Sequence, residues 1–292
     1  MSISVLVSLP QWKLPSVYSG CGAISEGLLA FGGNGENLDA RLLPDHTRFS
    51  TFLGMTPRRF RAKVLHVRHL TQDVRELILE LVDTPTLEFL PGQSIAVTIP
   101  DEASGLSYLR YYSLVSLPSS SHQLVLLFNA GEKGKGATFA LEHSVGEELD
   151  CSGPFGSFHL HEDPGRDLLF VGTGTGIAPL WSMLSSLFEQ SCSQPMTLLW
   201  GLRRESDIYY LDELQKWADC YKNFSFILTL SQPAHHWKGK RGRVTHLLQE
   251  FPHVDHLAVY VCGNRKMVAE VTGLLQCKGT CPVYRERHHE GK

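Results

Sequence analysis

The 292-residue chain lacks a hydrophobic run of membrane-spanning length, an internal repeat, a low-complexity tract and any large excess of one charge. A transmembrane helix needs roughly 20 consecutive apolar residues, so no membrane span is expected. Lys and Arg number 27 against 30 Asp and Glu, a formal net charge of -3, and without a basic field nucleic acid is a poor partner. Cysteine is sparse and odd in number, seven residues scattered from Cys21 to Cys281, which does not describe the paired framework of a secreted domain and fits a reducing cytoplasm. Met1 to Pro10 is apolar, but the first Lys is Lys13, so the positive start of a leader is missing. The histidine pairs His159-x-His161, His235-His236 and His288-His289 have no Cys or carboxylate at helical ligand spacing, and no metal centre is expected from them.

What is there divides the chain into three. Residues 1–57 show no clear periodicity, are interrupted by Phe31-Gly32-Gly33-Asn34-Gly35, and carry no assignable chemistry. Residues 58–162 hold short β-like runs, Ala62 to Val67, Val74 to Val82, Ser94 to Ile99, Tyr111 to Ser116 and Leu124 to Phe128, separated by Pro, Gly, Ser and Asp turns. They predict an all-β unit, an antiparallel barrel, with Gly153-Pro154-Phe155-Gly156 as a tight closing turn. Residues 163–292 alternate strand and helix. Leu168 to Gly172, Met196 to Trp200, Phe224 to Leu230 and Leu257 to Cys262 read as strands; Leu180 to Gln190, Leu211 to Cys220, Val244 to Glu250 and Lys266 to Gln276 read as helices. Continuous apolar strands between helices predict a doubly wound parallel sheet, an α/β unit.

Three motifs stand at the ends of β-like runs. In Arg110-Tyr111-Tyr112-Ser113, alternation places Arg110 and Tyr112 on one face. A guanidinium can hold a phosphate there while the ring lies against a flat heterocycle and Ser113 offers a hydrogen bond; ordinary barrel packing also uses such residues. Val171 to Pro179 runs from an apolar strand through Gly174, Thr175 and Gly176 into a helix, with Pro179 in its first turn. That context lets backbone approach the phosphates of a nucleotide. Cys262 and Gly263, followed by Met267, end the strand Leu257 to Val261, where ligands of open parallel sheets bind.

Two further segments bear on nucleotides. Gly131 to Thr138, with Gly134, Gly136, Ala137 and Thr138, is a glycine-rich turn before a helical stretch, suited either to an anion or to a hairpin tip. After the second α/β strand, Gly201 to Asp207 presents Arg203 and Arg204, which suit a 2'-phosphate, beside Glu205 and Asp207, which suit a free ribose diol. These residues leave NADH and NADPH both open. Arg58, Arg59, Arg61 and Lys63 form a basic run at the barrel entrance, readable as a solvated face or as a docking face for an acidic protein.

Together these motifs resemble the ferredoxin-NADP reductase superfamily over Phe60 to Glu286, most closely the reductase components of bacterial aromatic-ring oxygenases. Phe89-Leu90-Pro91-Gly92-Gln93 and the set Ser231, Pro233, Trp237, Gly239 and Gly242 add to the resemblance. It implies a six-stranded Greek-key barrel binding FAD, followed by an NAD(P)-binding domain. It further implies Arg110 on the flavin pyrophosphate, Tyr112 stacked on the isoalloxazine, Ser113 near flavin N5, and Thr175 and Cys262 flanking the nicotinamide. Electrons would leave for an oxygenase or ferredoxin-type protein. The run Gly201-x-Arg203-x-x-x-Asp207-x-Tyr209 is similar to NADH-using members. Three departures accompany this. The C-x4-C-x2-C spacing of a plant-type [2Fe-2S] site is missing, the phosphate turn offers its hydroxyl one position off, and His288 stands where relatives often place an aromatic over the flavin. A free-flavin reductase and a non-catalytic binding module keeping the fold are the alternatives.

Overall fold

The computed structural model describes residues 56–101, 105–129 and 143–286. Gly134, Gly136, Ala137, Thr138, His288 and all but the last two residues of the 1–57 region lie outside them.

Six antiparallel strands form the first sheet: β1 (Arg58–His69), β2 (Val74–Leu81), β3 (Ser94–Asp101), β4 (Leu106–Ser113), β5 (Gln123–Asn129) and β6 (Glu148–Phe155), in the order β4-β3-β6-β1-β2-β5. An isolated bridge between Leu114 and Leu126 joins the chain after β4 to β5, so the two edges meet and a barrel results. Alternation drives the inside-outside sorting. On β1, Phe60, Ala62 and Val64 are buried while Arg59, Arg61 and Lys63 are exposed, so the basic run is one strand's outer face. Arg61 there pairs with Asp83 and Glu148, each at 2.7 Å.

Two barrel expectations change. Of the segment read as the turn Gly153–Gly156, Gly153 to Phe155 end strand β6 and Gly156 follows it; a Cβ on Gly153 would stand 2.9 Å from Ile95 Cγ2, so this glycine permits close strand packing rather than reversal. The strand expected at Tyr111–Ser116 is β4, which begins at Leu106 and ends at Ser113. Leu106, Ser107, Leu109 and Arg110 are exposed, and that edge gives no apolar alternation to read.

The second sheet is parallel: β7 (Asp167–Thr173), β8 (Met196–Leu202), β9 (Phe224–Leu230), β10 (Lys240–Arg241), β11 (Leu257–Cys262) and β12 (Val283–Arg285), in the order β10-β9-β8-β7-β11-β12. Its helices are α1 (Ile177–Glu189), α2 (Leu211–Cys220), α3 (Val244–Leu247) and α4 (Arg265–Lys278). The α1 helix starts three residues before the expected Leu180 because Pro179 is accommodated in its first turn. Asn264 caps α4 by accepting from Lys266 N at 2.9 Å. The short strands β10 and β12 were not expected. Among the described residues no helix is long and apolar enough to cross a membrane.

Barrel and sheet touch along α1, where Ser182 Oγ donates to Ser116 O at 2.8 Å and is buried, and where Met183 fills the space beside Gly92. The barrel has its own core, with Leu77 at 0% exposure beside Phe60, Val97 and Phe128. Leu77→Ala is therefore expected to cost about 2–5 kcal/mol in urea unfolding. Val145→Ala, at a side chain 64% exposed, is expected to stay within about 0.5 kcal/mol.

Candidate active site

The first strand of the parallel sheet, β7, has β8 on one side and β11 on the other. Loops leaving β7 and β11 therefore part in opposite senses and open a crevice at their carboxyl ends. Glycine sets how close those loops come. A Cβ on Gly176 would lie 2.6 Å from Cys262 O, and one on Gly263, at φ 140°, would fall on Thr173 Oγ1. Gly174, at φ 54°, faces open space, and its carbonyl accepts from Trp200 Nε1 at 3.2 Å and Tyr209 OH at 3.0 Å. The Gly174–Gly176 turn is thus held by its first carbonyl, and Thr175 within it is half-buried. Pro179 and Met267 are buried and shape the crevice from the core side.

At the end of β8, Arg203 and Arg204 are exposed. Asp207 Oδ2 accepts from Arg204 N at 3.0 Å, and Glu205 accepts from Ala234 N at 3.0 and 3.2 Å. Backbone N–H groups, its own first, hold the Glu205 carboxyl below the ordinary range. Both acids are engaged in holding their own loops.

On β4, Arg110 is exposed, donates to Leu109 O at 3.1 Å and stands 5.9 Å from the centre of the Tyr108 ring. Tyr112 packs on Phe128 at 4.2 Å, and burial pushes its phenol up to about 12. Tyr111 takes the other face, edge-on to Phe155 at 5.4 Å.

Ser113, at the end of β4, and Cys262, at the end of β11, meet through a third residue. Glu286 directly follows β12, and its backbone N–H bonds Val261 O at 3.2 Å, which fixes it beside β11. Its Oε1 accepts from Ser113 Oγ at 2.8 Å, and its Oε2 from Cys262 Sγ at 2.8 Å. Burial first, and then the adjacent Glu286, push the Cys262 thiol well above its ordinary value. Cys262 is therefore a thiol donating a hydrogen bond and not a nucleophilic thiolate. Sequence reading missed Glu286. The one local signal was the β-like Val283-Tyr284-Arg285 before it, which puts a carboxyl at the same end of the sheet as Cys262.

The oxidoreductase FAD-binding domain family matches residues 61–160 and the oxidoreductase NAD-binding domain family residues 170–272. Fold and site thus define a two-part flavin and nicotinamide oxidoreductase. Ferredoxin–NADP reductase B of Sorangium cellulosum (strain So ce56) is 33% identical over 244 residues, covering 79% of this chain and 96% of its own. The chain belongs to the ferredoxin–NADP reductase family. It is also 31% identical to the reductase component of propane 2-monooxygenase of Mycolicibacterium goodii, over 74% of this chain and 63% of that one. The anthranilate 1,2-dioxygenase electron transfer component of Acinetobacter baylyi is 32% identical over 69% and 58%. The chain thus spans about six tenths of these two oxygenase relatives. Among solved structures, the Amycolatopsis cytochrome P450 reductase GcoB superposes with a TM-score of 0.71 at 26% identity, over 80% of this chain and 70% of that one.

The thiol environments predict a chemical ordering. Iodoacetamide at pH 8 is expected to label the exposed Cys220 and Cys277 and to leave Cys262 unmodified in the folded protein, read by peptide mass spectrometry.

Proposed function

We propose that the protein oxidises NADH or NADPH at the carboxyl ends of β7 and β11 and passes the electrons through FAD, held by the barrel, to a separate oxygenase or ferredoxin-type protein. The Glu286 bridge carries this reading. By tying Ser113 to Cys262 it makes the face of β4 and the crevice of the sheet open on one another, the arrangement that transfer between two flat rings requires. Similarity to the reductase and electron transfer components of oxygenases supports a protein acceptor.

The residues fit both cofactors. Arg110 has an exposed guanidinium for a pyrophosphate, Tyr112 a ring for stacking, and Ser113 a hydroxyl at the junction. Gly174, Gly176 and Gly263 leave bare backbone where a dinucleotide must come close, with Thr175 and Cys262 on either side. The turn with Gly134, Gly136, Ala137 and Thr138 is assigned to the flavin pyrophosphate on sequence alone. When bound, FAD accepts the hydride of a reduced nicotinamide and yields electrons onward. The chain's own part is positional: Glu286 keeps the Ser113 hydroxyl and the Cys262 thiol hydrogens directed at its two oxygens, and the neutral thiol adds no charge beside the ring site. No side chain need act as general acid or base for hydride transfer.

In this reading residues 58–162 carry the flavin, residues 163–292 the nucleotide, and residues 1–57 no assigned role. The six described cysteines are free thiols, which supports a cytoplasmic setting.

The decisive test is the absorbance spectrum of purified protein before and after anaerobic NADH. Flavin bands that bleach on addition are expected. FAD that washes away would favour the free-flavin reductase, and protein that takes up no FAD and leaves NADH unoxidised would sink the enzyme reading. Nucleotide choice gives a second prediction. Glu205 and Asp207 spend oxygens on backbone donors within their own loops, the exposed Arg203 and Arg204 supply positive charge for a 2'-phosphate, and both nucleotides are expected to serve. Replacing Arg203 and Arg204 together by Ala should lower kcat/KM for NADPH by about 10- to 100-fold, the loss of one charge-assisted hydrogen bond, and leave NADH nearly unchanged.

A further inference from the structure

Barrel and sheet also meet away from Glu286 and from the Ser182 contact. Glu76 on β2 is fully buried. Its Oε1 accepts from Arg68 Nη1 at 2.7 Å, the residue directly across on β1. Its Oε2 accepts the phenol hydrogen of Tyr210, the residue that opens α2 in the other half of the molecule. Tyr210 is buried, its ring centre 4.4 Å from that of Trp181 on α1. Its backbone is left-handed, φ 56°, a region that residues with a Cβ seldom occupy.

A buried carboxyl is costly unless its oxygens are paired. One oxygen of Glu76 is paired within the barrel, and the partner of the other comes from across the junction. The unusual turn at Tyr210 explains how. It sends two successive phenols apart, their rings inclined at 72°, so that Tyr210 reaches the barrel while Tyr209 reaches Gly174 O at 3.0 Å. Gly174 opens the turn that lines the crevice.

We propose that Tyr210 is a positioning residue: anchored to the barrel through Glu76, it sets, through Tyr209, where the Gly174-Thr175-Gly176 turn stands relative to Tyr112 and Ser113. The two hydrogen bonds spring from adjacent residues whose rings are buried against Trp200 and Trp181, so a shift of the barrel relative to the sheet is passed on to the turn. This inference rests on the oxidoreductase reading above.

The test uses Tyr210→Phe, which keeps the ring and removes the hydrogen bond, with Glu76→Gln and the double variant. Two quantities are measured: the stopped-flow rate of flavin bleaching by NADH or NADPH in the FAD-loaded protein, and amide hydrogen exchange of residues 174–176 in the flavin-free protein. Tyr210→Phe is expected to keep its nucleotide KM and FAD content and to lose about 10- to 100-fold in bleaching rate, the effect of ångström-scale misplacement. Its Gly174–Gly176 amides should exchange faster, and the double variant should be no worse than the more impaired single, as for two residues acting as one unit. A parental bleaching rate and parental exchange in Tyr210→Phe, even with a lowered unfolding midpoint, would overturn the proposal, since Tyr210 would then only stabilise. Should the parent protein itself not bleach with either nucleotide, the oxidoreductase reading fails, and the exchange measurement alone decides the anchor. Should Tyr210→Phe fail to fold, Glu76→Gln is read by the same two measurements and the same criteria.

Discussion

The two halves of this molecule are useful to each other only at one relative placement, and the Glu286 carboxyl is where that placement meets the chemistry. Its two oxygens take hydrogens from Ser113 at the end of a barrel strand and Cys262 at the end of a sheet strand. Neither donor lies near the other in sequence, and each hydrogen bond has a net worth of only about 1 kcal/mol. What makes the bridge decisive is geometry: the carboxyl cannot satisfy both donors unless the β4 face and the β7–β11 crevice look at one another. Burial keeps Cys262 protonated, so the thiol remains a donor and the bridge survives at neutral pH.

The crevice itself is written in glycine. Gly176 and Gly263 leave no room for a Cβ at the approach of the two loops, and Gly174 offers a carbonyl to Trp200 and Tyr209 beneath. Any side chain at Gly176 would push the turn off β11 and out of line with Cys262. Thr175 in the turn is half-buried, whereas Pro179 and Met267 are buried and belong to the core under it.

Most of the parallel sheet was legible because its signals are local. Apolar strands bounded by turns and helices with apolar faces gave Leu211–Cys220, Phe224–Leu230 and Leu257–Cys262 their observed bounds. Glycine-rich turns after strands marked the crevice for the same reason. Local signal failed where exposure or distance intervened. The first half of β4 is an exposed edge, β6 hid behind Gly153 and Pro154, and β12 is only three residues long. Glu286 binds a serine 173 residues earlier, and Glu76 binds a tyrosine 134 residues later. No periodicity or spacing encodes such pairings; they follow from how the two sheets dock.

Why the docking should rely on polar contacts follows from what an apolar junction does well and badly. Hydrophobic contact is non-directional, so Met183 against Gly92 tolerates small slides. Ser182 on Ser116 O, Tyr210 on Glu76, and Ser113 on Glu286 do not, because each leaves a polar group unpaired when displaced. The penalty is steepest at Glu76, which is fully buried; displacing Tyr210 leaves Arg68 paired within the barrel but strips one buried oxygen of its donor, a loss of about 1–3 kcal/mol. Domains joined within one chain are free to move unless their interface forbids it. Here three short hydrogen-bonded struts, spaced from the start of α2 to the end of β12, oppose sliding along more than one direction at once. Such a junction fixes how Tyr112 stands relative to the Gly174 turn, the quantity on which passage of a hydride between two rings depends in the function proposed above.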